Sequence, residues 1–155
     1  MTRRSFKALR EFRAKVTLKP AQKETLKIIL DSNALFVPLQ LKIDIFTELE
    51  RLLKRNFELI LLSPVKRELE ALARKGSPKT RKNAACALRL AERCRYLEVD
   101  DSGSKLADDA IVSIAKEGSF LVLTNDKQLR KRLRNISVPV VYVRQKSHLE
   151  IDGMV

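Results

Sequence analysis

At 155 residues and 17.7 kDa, with 45% hydrophobic and 33% charged residues, the chain has the size and composition of one globular domain with a substantial core. A formal charge of +13 and a pI near 10.1 direct it toward polyanions, nucleic acid before anionic membrane. The apolar runs LILL and FLVL fall far short of the roughly 18 residues of a membrane span, and MTRRSFKALREFRAK holds no apolar leader core, so a cytoplasmic protein with no membrane partner is expected.

Residues 1–26 read as a basic N-terminal arm or helix. Through Lys27 there are nine basic residues, among them Arg3 and Arg4, against only Glu11 and Glu24. Phe6, Leu9, Phe12 and Val16 recur near helical spacing, and Pro20 ends the pattern. From Lys27 the chain alternates short β-rich runs with helical ones: KIILD, DIFTELERLLK, FELILLS and PVKRELEALARK. GSPK at 76–79 is a turn before the helix TRKNAACALRLAERC. Cys86 and Cys94 are eight residues apart on that helix, about 12 Å along its axis, which is too far for a disulfide. They are expected to be buried packing residues. One His and two Cys without CxxC spacing leave no credible zinc site.

Then follow a short YLEV, the loop DDSGS, the helix LADDAIVSIAKE, the strand SFLVLT, the helix DKQLRKRLRN and the strand VPVVYV. Such alternation predicts an α/β fold, a three-layer α/β/α sandwich whose central, mostly parallel sheet has about five strands. The expected division is the arm, one domain over 27–148, and a C-terminal tail over 149–155. In open sheets of this kind ligands bind beyond the carboxyl ends of the strands, where strand order reverses.

Four acids are candidates for that crevice. Asp31 leaves the end of the first strand, followed by Ser32 and Asn33. Ser63 is a candidate helix cap with Pro64 at the first position, which places Val65, Glu68, Leu69 and Leu72 on one apolar face and Glu70 nearly opposite, in solvent. In LADDAIVSIA the inward face runs through Ala107, Ala110, Ile111 and Ile114, with Asp108 nearer to it than Asp109; either acid also suits the first turn of a helix. Asp126 follows the strand FLVL at the head of a basic helix, where the plain alternative is an N-cap. Like charges at 4 Å repel by roughly 1 to 4 kcal/mol, so four acids above one sheet edge call for a cation, and hard oxygen ligands suit Mg²⁺ or Mn²⁺.

The motifs IILDSN, PVKRELE, ADDAI and TNDKQLR, in this order, resemble those of the PIN-domain nucleases over roughly residues 27–148. QLKIDIF with Asp44, ADDAIV, TNDKQLRKRLR and VPVVYVRQKSHLEI look closest to the archaeal and eukaryotic branch that processes small-subunit ribosomal RNA precursors. The resemblance implies metal-binding catalytic acids at Asp31, Glu68, Asp108 and Asp126. Asp108 is preferred to Asp109 because Ile111 and Ala115 then match the motif, and Asp109 stays open. Ser32, Asn33 and Asp44 are implied as groups supporting those acids, and Asn125 as one orienting Asp126. Backbone contacts to RNA are expected from Arg3, Arg4, Lys127, Arg130, Lys131, Arg132, Arg134, Arg144 and Lys146; for each, an ordinary solvated face is the plain alternative.

The expected activity is therefore divalent-metal-dependent endonucleolytic cleavage of single-stranded RNA, with precursor ribosomal RNA or a pre-ribosomal particle as partner and a homodimer as the expected assembly. Two alternatives are a non-catalytic RNA-binding ribosome-assembly factor and a toxin-type, VapC-like ribonuclease held by an antitoxin. The assembly factor gains nothing from an anionic cluster facing RNA. The basic arm and the C-terminal tail fit the toxin less well. No GxGxxG and no GxxxxGK[ST] is present for a dinucleotide or a nucleoside triphosphate. Tyr142 is expected in the core of its strand.

Overall fold

The computed structural model describes residues 25–100 and 106–155. The expected arm, with Arg3 and Arg4, lies outside the described residues. β1 (Leu26–Leu30), β2 (Phe57–Leu62), β3 (Arg95–Leu97), β4 (Phe120–Leu123), β5 (Val140–Arg144) and β6 (His148–Asp152) form one sheet in the order β3-β2-β1-β4-β5-β6. All neighbours pair in parallel except β5 with β6. The helices α1 (Ser32–Leu41), α2 (Ile45–Leu53), α3 (Ser63–Lys75), α4 (Pro78–Ala91), α5 (Ala107–Ala115) and α6 (Lys127–Asn135) flank it.

The central strands have the near-continuous apolar character of a sheet covered on both faces. Ile28, Ile29 and Leu30 of β1, Ile60 and Leu62 of β2 and Val122 and Leu123 of β4 are all essentially solvent-free. Val65 and Leu69 of α3, Ile111 and Ile114 of α5 and Leu129 and Leu133 of α6 complete the core at helical spacing. No described helix is long and apolar enough to cross a membrane.

Four features depart from the expectations. Residues 149–152, expected in the C-terminal tail, form with His148 an edge strand whose Leu149 is buried, and it makes the sheet six-stranded. Helix α1 is not among the expected elements, since Pro38 lies inside it and interrupts a helical pattern. Ser63 does not cap α3. Leu62 takes the N-cap position without a side-chain bond, and the buried Ser63 hydroxyl accepts from Val99 N–H at 2.8 Å and donates to Val99 C=O at 3.3 Å. Cys86 and Cys94 are free and half-buried, more exposed than expected, and burial pushes the Cys94 thiol up to about 11.

The chain runs outward from β1 through β2 to β3, then returns to the other side of β1 for β4 and β5. Strand order therefore reverses between β1 and β4, and the crevice lies beyond Leu30 and Leu123, which are register partners. Asp31 and Thr124 are the next residues of those two strands.

Candidate active site

Backbone geometry fixes Asp31 first. Its N–H continues the ladder by donating to Leu123 C=O at 3.0 Å, and its extended φ and ψ of −79° and 158° make it the N-cap of α1. One carboxylate oxygen, Oδ1, accepts from Ser32 N–H at 2.8 Å. The other, Oδ2, accepts from the Thr124 hydroxyl at 2.7 Å and from the Asn33 amide at 3.0 Å. The group is 7% exposed and no basic side chain among the described residues pairs with it. Burial raises its pKa above the usual carboxylate value. The bonds from Thr124 and Ser32 oppose that rise, while the negative charges of Glu68 and Asp126 add to it.

Thr124, which the sequence reading passed over, ties the site together. It is fully buried, and its hydroxyl oxygen accepts from Asp126 N–H at 3.1 Å and, more weakly, from Asn33 Nδ2 at 3.4 Å while donating to Asp31. A polar residue directly after the four-residue apolar run FLVL was the available signal. Asn33 closes the same loop, since its Oδ1 accepts from Asn125 N–H at 3.0 Å.

The remaining acids are placed differently from one another. Asp126 is exposed and caps α6, with Oδ1 accepting from Gln128 and Leu129 N–H at 2.8 and 3.2 Å. Capping and membership of the crevice coexist here. Glu68 is exposed rather than on a buried face, and it accepts from the Ser32 hydroxyl at 2.7 Å, so it stands at the rim within the field of Asp31. Asp108 and Asp109 are both half-buried and both face Arg132 of α6, at 3.7 and 2.9 Å.

Ser32 and Asn33 touch the acids through the bonds to Asp31 and Glu68. Asn125 does not orient Asp126: its side-chain oxygen accepts from Val143 N–H at 2.9 Å and fixes the loop to β5. Asp44 caps α2 through Phe46 and Thr47, and these local bonds, that from Thr47 N–H foremost, lower its pKa. None of its bonds reaches Asp31. Tyr142 is half-buried rather than in the core, with its hydroxyl donating to Glu150 at 3.3 Å and the Arg130 guanidinium 3.6 Å above its ring. Of the expected phosphate contacts, Arg130 and Arg134 are held by Asp152, Arg132 by Asp108 and Asp109, and Arg144 by Glu150. Lys127, Lys131 and Lys146 are exposed, and their side chains make no hydrogen bond or ion pair with the described residues.

Among the described residues no three acidic, His or Cys side chains converge closely enough to hold a metal ion in their present rotamers. The donor chemistry nevertheless fits a hard divalent cation. A buried carboxylate with no counter-ion, in the field of two further carboxylates, is stabilised by nothing so well as a positive charge. Asp31 is immobilised by three donors, while Glu68 and Asp126 are exposed, each with one carboxylate oxygen held, by Ser32 and by the start of α6 respectively.

Comparison with known proteins agrees with this architecture. The family model described as a PIN like domain matches residues 28–146. Ribonuclease VapC4 of Methanocaldococcus jannaschii is 42% identical over 130 residues, which span 83% of this chain and 98% of that protein. Ribonuclease VapC9 of Archaeoglobus fulgidus is 26% identical over 124 residues, spanning 80% and 87%. Among solved structures, the PIN domain endonuclease Utp24 superposes with a TM-score of 0.71 at 32% identity, covering 83% of this chain and 92% of the other. With its switch-point acids, its mostly parallel sheet and a family match across most of its length, this chain belongs to the PIN domain family.

Proposed function

We propose that this protein is a divalent-metal-dependent endoribonuclease that cuts single-stranded RNA, with Asp31, Glu68, Asp126 and one of Asp108 and Asp109 as the acids that hold the metal. The observation that carries this reading is Asp31 itself, buried at the switch point beside two other carboxylates without a counter-ion. When bound, Mg²⁺ or Mn²⁺ would supply Lewis acidity, lowering the pKa of an attacking water and stabilising the departing oxygen. The chain's own part is positional. Thr124, Ser32 and Asn33 hold the Asp31 carboxylate in one orientation. Lys127, Lys131 and Lys146 offer charge to the phosphate backbone. Arg132 neutralises Asp108 and Asp109 until they are needed, and no His is required as a base.

Precursor ribosomal RNA is the substrate proposed, on the motif resemblance and the likeness to the endonuclease Utp24. The 42% identity to a ribonuclease named VapC4 favours a second reading, a nuclease of the same chemistry restrained by a small protein partner. End-labelled small-subunit precursor RNA and unrelated RNA of equal length, each with single-stranded loops, separate the two when incubated with Mn²⁺, Mg²⁺ or chelator. Metal-dependent cuts at discrete sites of the precursor alone are expected. Equal cutting of both RNAs favours the restrained nuclease, and no cutting of either under any metal overturns the enzyme.

A further inference from the structure

A cleft of about 550 Å³ opens between the β5–β6 turn and the start of α6, beside Thr124 and Asn125. Its wall carries the Arg130–Tyr142 stack, and Lys127, Gln145 and Lys146 stand around it, exposed. Arg130 is committed to Asp152, but the side chains of the two lysines make no bond to the described residues and are available to an anion.

The turn itself is costly for its sequence. Ser147 N–H donates to Arg144 C=O at 3.1 Å, and the two residues between, Gln145 and Lys146, have φ of 54° and 55°. Two consecutive left-handed residues are the type I′ pattern, which Asn-Gly adopts with least strain and long side chains adopt poorly. Strained backbone of this kind is kept where the side chains it presents are used. Here it presents an amide and an ammonium to a cleft that meets the acids at Thr124, whose hydroxyl donates to Asp31 and accepts from Asp126 N–H.

Resting on the nuclease reading for its ligand, we infer that this cleft binds one nucleotide of single-stranded RNA next to the phosphate that is cut. Lys127 and Lys146 take the flanking phosphates, the Arg130–Tyr142 stack supports the base, and the Gln145 amide meets its edge. Bases in a duplex are stacked on one another and have no free face for such a platform, so the cleft selects unpaired RNA.

The test uses the full chain, chelator to prevent cutting, and a short fluorescently labelled single-stranded RNA followed by anisotropy across a salt series. Gln145→Asn combined with Lys146→Gly relieves the turn and should raise Tm by about 4 to 8 °C while weakening RNA binding about tenfold. Tyr142→Leu should cost about tenfold as well. Lys127→Ala should flatten the salt dependence by about 0.7 in log–log slope, one phosphate of a single strand. Duplex RNA should be insensitive to all three. Wild-type affinity in both the turn variant and Tyr142→Leu overturns the inference. So does an equal loss for duplex RNA. If these variants bind single-stranded RNA as wild type does while metal-dependent cutting is lost in Asp31→Asn, the cleft assignment fails and the nuclease reading stands. If wild type never cuts but the variants lose single-strand binding, the nuclease reading fails and the cleft stands.

Discussion

Replacing Thr124 by Val removes one hydroxyl from a fully buried position with almost no change of shape; the bond to Asp31 and the acceptor for Asp126 N–H are lost together, and only the first depends directly on the charge of Asp31, so the pH dependence of the loss reports it. When Asp31 is ionised the 2.7 Å bond is charge-assisted, worth about 1.5 to 3 kcal/mol; when Asp31 is protonated the bond joins neutral groups and is worth about 0.5 to 1.5 kcal/mol. At about 2 to 4 °C per kcal/mol for a chain of this size, Tm should fall by about 3 to 12 °C at alkaline pH and about 1 to 6 °C in acid. The direction follows from linkage. Asp31 has a folded pKa above its ordinary 3.8, so it favours the folded state most when protonated, and that contribution is lost as pH rises through the folded value. Removing the Thr124 bond, which opposes the rise, moves the loss to still higher pH. Carboxylates with lowered pKa, such as Asp44 and Glu48, act in the opposite direction but identically in both proteins, so the difference between the melting curves isolates Asp31. Thermal denaturation of both proteins in chelator, from below pH 4 to above pH 8, provides the measurement. A Tm difference that is constant with pH would refute the reasoning, because the bond would then not depend on the charge of Asp31.

Further outcomes follow from the same geometry. Mn²⁺ at about a hundred times its Kd should stabilise the wild-type fold by about 2.7 kcal/mol, about 5 to 11 °C in Tm, and should leave the melting of Asp31→Asn unmoved. Arg132→Gln frees Asp108 and Asp109 from their ion pairs and should tighten Mn²⁺ binding in calorimetry; an unchanged Kd would mean that neither acid is a ligand. Asp108→Asn and Asp109→Asn, compared in the same titration, should differ, with the ligand position losing affinity. Ser63→Ala strands the N–H and C=O of Val99 and should lower stability by about 1 to 3 kcal/mol in urea unfolding, without changing RNA affinity in the cold.

How much of this was legible in the sequence depended on what each residue needed from its neighbours. Strand and helix alternation, and with it the parallel sheet, is a periodicity signal, and Asp31 and Asp126 were visible as polar residues ending apolar runs. Helix α1 was hidden because Pro38 breaks its pattern, although Ala34, Leu35 and Val37 bury it regardless: tertiary packing outweighs a local breaker. Strand β6 carried a readable alternation in HLEID, but its pairing depends on a hairpin turn made of Gln145 and Lys146, neither of which signals a turn. The role of Thr124 arises from register, because only the pairing of Leu30 with Leu123 places it against Asp31. Likewise no pattern in the sequence reveals that Arg130, Arg132, Arg134 and Arg144 are already paired with acids, so that among the described members of the expected phosphate contacts only Lys127, Lys131 and Lys146 are unpaired.

The measurement closest to the central claim is single-turnover cleavage of end-labelled single-stranded RNA by wild type and Asp31→Asn, across a Mn²⁺ series, with RNA binding of each measured in chelator. Cutting that rises with metal in wild type and is lost in the variant, at equal RNA affinity, is the predicted result. Equal cutting by both proteins, or cutting by wild type that persists in chelator, would contradict a metal-holding role for the buried carboxylate at the switch point.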